Sequence, residues 1–183
     1  IRSTFKKEKI YQYIWRSELL ENGEWGTSVK LESPFNNGDV NTLFSISPDG
    51  TTILYNEYHH NTNKSELYST SLINNVWSIP VKINMMEDEN QFTNSKWGST
   101  CISSSGRVML IAATPNREDD FGEIYVCFKK DTLWSRAIKI ESPLNVKEGS
   151  FGQHNPYLAA DDFTLYFASE RKGGYGGTDI YYS

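Results

Sequence analysis

Residues 44–58 read FSISPDGTTILYNEY, and two later stretches share their layout: TCISSSGRVMLIAAT at 100–114 and PYLAADDFTLYFASE at 156–170. The three are evenly spaced along the chain. In the first, Pro48 presets φ, Gly50 supplies a positive φ, and Asp49 between them suits a tight turn. An apolar run precedes that turn and another follows it. The unit is therefore strand, turn, strand, written three times. The second runs (Ile53-Leu54-Tyr55 and Met109-Leu110-Ile111) alternate only loosely between apolar and polar. That pattern suits a strand covered on both faces, as when one sheet stacks between two others.

Two further markers keep the same period. Glu66-Leu67-Tyr68, Glu123-Ile124-Tyr125 and Asp179-Ile180-Tyr181 follow one another at the same step to within a single position. The same step taken back from Glu66 reaches Lys9-Ile10-Tyr11 as a fourth copy. A Trp followed by a basic-apolar run recurs as WGTSVKL from Trp25, WSIPVKI from Trp77 and WSRAIKI from Trp134. The first Trp gap is 52 rather than 57, read here as a turn five residues longer after Tyr11. Within a unit, strands are expected over 42–47, 52–57, 65–70 and about 81–83. Turn formers join strands three and four at Asn22-Gly23, Asn74-Asn75 and Lys130-Asp131.

Four antiparallel strands in a repeat of about 56 residues predict an all-β fold, a β-propeller with four-stranded blades. Residues 1–38 would supply the last two strands of one blade, 39–94 and 95–148 two full blades, and 149–183 the first three strands of a further blade. The segment is thus a partial ring of about three blades. Its end blades would leave apolar faces and unpaired edges bare.

Composition narrows the function. The net charge of −5 gives no electrostatic footprint for nucleic acid. No run of ~18 apolar residues spans a membrane, and no signal peptide begins the segment. Aromatics at 14 % favour strands and tight turns.

Ser47-Pro48-Asp49-Gly50, Asp179-Ile180-Tyr181 and the Trp-initiated outer strand together resemble the Pro-Asp β-propeller repeats related to TolB, a WD-repeat-like group. The resemblance is nearest to versions attached to OmpA-family envelope proteins of Bacteroidetes, where a Gly-Gly-Tyr-Gly-Gly loop often precedes Asp-Ile-Tyr. It covers nearly the whole chain from Lys9. The second full blade departs from it, with Ser104-Ser105-Gly106 replacing Pro-Asp-Gly and Asp119-Asp120-Phe121-Gly122 replacing the glycine cluster. The resemblance implies a non-catalytic scaffold in the periplasm or at the outer membrane that binds a protein partner or a glycan, with a secretion or gliding assembly as one setting. It also implies that Arg171 folds back onto Asp179 to brace the loop between them.

That loop, Gly173-Gly174-Tyr175-Gly176-Gly177, is not a phosphate cradle. Such cradles need a helix behind them, whereas the strand Asp179-Ile180-Tyr181 follows here. An enzyme alternative, a glycoside-hydrolase-type propeller, needs carboxylates ~5–10 Å apart on the innermost strands. Those strands, TLFSIS, STCISS and NPYLAA, hold no Asp or Glu. Asp39 precedes the first, but Ser95 and Phe151 take its place in the others. No catalytic residue, cofactor or metal site is assigned. His59 and His60 are adjacent in a strand-like loop and point apart; Glu118-Asp119-Asp120 lacks calcium-loop spacing.

Trp25, Trp77 and Trp134 share one blade position and are expected to pack between sheets. Trp97 lies outside that series. Loops leading into strand one share a propeller face with those joining strands two and three. Asp39, Asn41, Lys96, Trp97, Gln153, His154 and Asn155 should therefore gather near the axis, with Arg117 and Tyr175 further out, as a partner face. Cys101 and Cys127 fall in strands one and three of one blade, ~9–10 Å apart, beyond the ~7 Å reach of a disulfide. Both are expected as buried thiols.

Overall fold

The computed structural model describes residues 9–47, 49–62, 64–83, 96–114 and 121–183, with backbone alone for Lys64, Lys96 and Trp97. Every regular element among them is a β-strand. The first sheet pairs β1 (Trp15–Arg16) with β2 (Val29–Lys30). The second runs β3 (Val40–Ile46), β4 (Thr52–His59) and β5 (Lys64–Ile73), with β6 (Val76–Trp77) and β7 (Val81–Lys82) both on β5. The third repeats this with β8 (Lys96–Ile102), β9 (Val108–Thr114), β10 (Glu123–Lys130), β11 (Leu133–Trp134) and β12 (Ile138–Lys139). The fourth holds β13 (Gln153–Leu158), β14 (Leu165–Ser169) and β15 (Asp179–Tyr182). All strand pairings within the sheets are antiparallel.

The outer strand is not continuous, and the residue after the recurring Trp explains why. Ser78 Oγ accepts the N–H of Ser71 (3.1 Å), and Ser135 Oγ accepts that of Phe128 (2.9 Å). A side-chain oxygen stands in for a ladder carbonyl, so β6 and β7, like β11 and β12, are separate pieces.

The sheets stack as blades. Ile53 and Tyr55 of β4 face Ile14 and Phe35 of the first sheet, while Leu54 packs with Met109, Ile111 and Trp134 of the third. Leu110 and Ala112 of β9 face the other way, onto Leu158, Leu165 and Phe167 of the fourth. The middle strands are thus covered on both sides, which is why their alternation is loose. The first strands β3, β8 and β13 touch in succession. Ser45 Oγ accepts from Ile102 N and Cys101 Sγ from Leu158 N, each at 3.5 Å, so one repeat position links successive inner strands. This is a partial β-propeller.

The fourth copy of the triplet is Tyr13-Ile14-Trp15, not Lys9-Ile10-Tyr11. Lys30 pairs with Trp15 as Lys82 pairs with Tyr68 and Lys139 with Tyr125. Leu31 N donates to Ile14 O just as Ile83 N does to Leu67 O and Ile140 N to Ile124 O. Trp15 and Trp25 are ten positions apart, against nine for Tyr68 to Trp77 and for Tyr125 to Trp134, so the turn is one residue longer rather than five. Side-chain chemistry hid the copy. In the later blades Glu66 and Glu123 each accept from a Tyr hydroxyl and a Lys ammonium. In the first sheet Tyr13 replaces the Glu, and Lys30 Nζ sits 3.5 Å above its ring centroid.

Candidate partner-binding face

The expected tight turns form. Gly50, Gly106 and Asp162 occupy one place in three blades with φ of 70°, 68° and 56°. Gly50 N donates to Ser47 O, Gly106 N to Ser103 O and Asp162 N to Ala159 O. Asp49 Oδ1 accepts from Ser47 Oγ and Thr51 N. Those bonds, the Ser47 hydroxyl first, hold its carboxyl down to about 2. Pro48 lies outside the described residues.

The residues expected on the opposite face divide into fasteners and exposed groups. Asn41 and Gln153 are fully buried, at 0 % exposure. Asn41 Nδ2 donates to Gln12 O and Gly38 O while Oδ1 accepts from Gly38 N. Gln153 closes a matching loop on Val146 N and O. Both are structural, because a buried amide must be satisfied where it sits. Trp97 occupies their register position in the third sheet, one repeat step from each. Its side chain, that of Lys96 and all of Arg117 lie outside the described residues, as does Glu118-Asp119-Asp120.

Asp39 is half-buried, and its Oδ2 accepts from His60 N at 2.6 Å. His60 lies edge-on to Tyr11 and Tyr58, and its Nε2 contacts Ile10 O at 2.7 Å. His59 turns instead to Glu57, 3.7 Å away. The two histidines serve different neighbours, as adjacent strand residues must, and no cluster suited to a metal occurs among the described residues. His154 is half-buried with its backbone paired to Ala168. Asn155 adopts a φ of 50° at the irregularity in β13, and its N–H donates to Ser99 Oγ.

Arg171 does not reach for Asp179. Its guanidinium stacks on Phe167 and Tyr181, 4.8 and 4.9 Å from their centroids, and donates to the carbonyls of Pro143 and Leu144. It ties the fourth sheet to the loop leaving the third. Asp179 Oδ2 instead accepts the N–H groups of Tyr175 (3.0 Å) and Gly176 (3.2 Å). The glycine-rich loop is therefore pinned from its own strand, with Tyr175 fully exposed at its tip.

Of the three repeat tryptophans, Trp134 is buried at 4 % and Trp77 is half-buried, edge-on to Phe35. Trp25 is 70 % exposed. Trp77 and Trp134 each pack onto the sheet before their own in the chain, and the described residues place no sheet before that of Trp25. Cys101 and Cys127 are free and buried, as expected. They pair with adjacent residues of β9, Leu110 and Met109, and so lie in different interfaces.

The sequence reading missed three things. Asn36 and Asn145, in Ser-Pro-x-Asn after strand four, each clasp the N–H and C=O of Ile14 and Ile124; the repeated Glu-Ser-Pro-x-Asn was the available signal. Phe151, in Asp39's repeat position, is exposed beside the loop face. Glu57 is buried with Oε1 lacking any hydrogen bond, and burial, more than any other influence, raises its carboxyl above 4.5. Its repeat equivalents are Ala113 and Ser169, so nothing periodic marked it.

No protein-family model matches the chain, and no curated protein does. Solved structures do resemble it. A protein described as TolB from Agrobacterium tumefaciens matches with a TM-score of 0.52 and 14 % identity over 88 % of this chain and 52 % of that one. A puromycin hydrolase matches with 0.48 and 12 % over 78 % of this chain and 20 % of that one. A prolyl endopeptidase structure matches with 0.41 and 10 % over 87 % and 22 %. The stacked antiparallel blades and the first of these likenesses agree: the chain has the fold of a TolB-like β-propeller and spans about half the length of that relative.

Proposed function

We propose that this chain is a non-catalytic propeller scaffold of the bacterial envelope that grips a protein partner by the face carrying Asp39, His154, Asn155 and Tyr175. One observation carries the reading. Tyr175 is held fully exposed on a loop whose backbone is tied down by Asp179, with exposed Phe151 on the same face. An aromatic presented on an ordered backbone loses little conformational entropy on binding, and such residues dominate interface energetics. The inner strands, which carry no carboxylate in VNTLFSI, KWGSTCI or QHNPYL, favour a scaffold over a glycosidase. The envelope setting rests on the resemblance to TolB-related repeats of OmpA-family proteins.

A photo-crosslinking residue at position 175, compared with one at exposed Phe163 on the turn face, tests the proposal in cells. The expected result is one protein adduct, an envelope component, at 175 and none at 163, lost when Phe151→Ala is added. Equal adducts at both positions, or none at 175, would overturn it.

A further inference from the structure

The chain holds two Asn-Gly pairs, Asn22-Gly23 and Asn37-Gly38. A glycine after asparagine leaves the side-chain amide open to attack by the backbone, because no Cβ shields the next peptide nitrogen. The fold gives the two pairs opposite geometries. Asn22 folds forward: its Oδ1 accepts the N–H of Glu24 at 3.0 Å, which lays the side chain over the Gly23 peptide as in an Asx turn. Its Nδ2 donates to the Glu24 carboxylate at 3.0 Å. Asn37 folds backward, its Nδ2 donating to Pro34 O at 2.8 Å, away from Gly38.

Access differs as well. Asn22, Gly23 and Glu24 are all exposed at a hairpin tip. Gly23 has a φ of 79°, a Cβ built on it would meet nothing within 4 Å, and its N–H donates to the carbonyl of exposed Leu20. Gly38 is buried, and its N–H donates to Oδ1 of fully buried Asn41. A Cβ there would crowd Glu57 Cβ and Tyr58 O, each at 3.1 Å. Freeing the Gly23 nitrogen takes only the local opening of an exposed turn, whereas freeing that of Gly38 dismantles the Asn41 clasp.

We infer that Asn22 is a self-modifying position, converted through a succinimide to an aspartyl or isoaspartyl residue. The Gly23 nitrogen attacks Asn22 Cγ and forms the new C–N bond. The side-chain amide leaves as ammonia, taking the proton that Gly23 gives up. Water then opens the ring at either carbonyl, and no oxidant or reductant takes part. The product places a carboxylate where the Asn22 amide now donates to Glu24, in a hairpin that also carries Glu18 and Glu21. An attraction becomes a like-charge repulsion, and the isoaspartyl form lengthens the backbone by one carbon. Both changes loosen the tip beside exposed Trp25, so the outward face of the first sheet alters as the molecule ages. The inference does not draw on the loop-face reading.

Incubating the chain in mildly alkaline buffer, both folded and in urea, followed by peptide mass spectrometry, tests this. Digestion with an aspartyl-specific protease separates the aspartyl product from the isoaspartyl one, which it does not cut. In urea the two asparagines should convert at similar rates, since glycine follows each. In the folded protein Asn22 should convert within ~10-fold of its rate in urea, and Asn37 should be slowed ~100-fold or more. Amide hydrogen exchange at Gly23 and Gly26 should quicken after conversion, while that at buried Ile124 stays as it was. Asn37 converting as fast as Asn22 in the folded protein would overturn the inference. So would an Asn22 slowed as much as Asn37, or a converted hairpin whose Gly23 and Gly26 exchange no faster.

Discussion

The junctions between neighbouring sheets and the outer faces of the first and fourth sheets carry the same repeat positions with opposite fates. Ile124 is completely buried, whereas Ile180 in the corresponding position of the fourth sheet is 79 % exposed. Trp134 and Trp25 differ in the same way. Residue type does not separate these pairs; a neighbouring sheet does. Each blade offers one apolar face forward and one backward, so burial belongs to the junction rather than the blade. Tyr13, Trp15 and Trp25 at one end, and Ile180 and Tyr182 at the other, are faces written for stacking.

Mutating the repeat tryptophans tests this most strongly. Trp134→Ala should destabilise by ~3–5 kcal/mol through loss of core volume, while Trp25→Ala should stay within ~0.5 kcal/mol. Half-buried Trp77→Ala should fall between. Urea unfolding read by far-ultraviolet circular dichroism measures all three, and equal losses for Trp25 and Trp134 would break the comparison.

The asparagine clasps sharpen it. Asn145→Ala leaves the N–H of buried Ile124 without its partner and removes one of the two donors to its C=O, which keeps the Ile140 N–H; the expected loss is ~1–3 kcal/mol. Asn36→Ala removes the same bonds from Ile14, next to the exposed end, where water reaches the strand more readily. Its loss should be smaller in the same unfolding assay.

Glu57 gives a pH signature restricted to the junction of the first and second sheets. Its folded carboxyl is raised by burial, so its favourable neutral form is fully present below the unfolded value near 4.5. That contribution is lost as pH rises through the higher folded value. Glu57→Gln should therefore gain stability relative to the parent as pH climbs above about 4.5. Thermal melts from about pH 4 to about pH 8 check this; a parallel offset between the two proteins at every pH would show that Glu57 does not titrate as described.

The smallest effect concerns the thiols. Burial pushes Cys127 up to about 12 and also raises Cys101. Native protein at about pH 8 should react slowly with an alkylating reagent, Cys127 the slower, while denatured protein without reductant should yield two free thiols. An intramolecular crosslink found by mass spectrometry would mean the two residues are not in separate junctions.

Periodicity made the architecture legible before any coordinates. Three evenly spaced turns, a Trp before each outer strand and a doubly apolar second strand are local signals, and local backbone preferences plus spacing suffice to read them. The separation of Cys101 from Cys127 followed from strand order alone. The candidate face was less legible. Asn41 and Gln153 look like exposed loop amides in the chain, yet folding buries both: each closes its own entry loop on Gly38 or Val146, and Asn41 also donates to Gln12 O. The family resemblance and the opposite charges implied Arg171 on Asp179, but aromatic stacking on Phe167 and Tyr181 with two carbonyl acceptors holds it elsewhere. Tyr13-Ile14-Trp15 escaped notice because an ammonium over a ring replaced an ammonium on a carboxylate, preserving the contact while changing the letters. What the sequence by itself determined was the repeat, the turns and which strands need two covered faces, since these depend on neighbours a few residues apart. Only the tertiary structure decided which copies of each position are covered and which polar groups are fasteners. Those outcomes depend on which sheet lies across the junction, and no period in the chain encodes that neighbour.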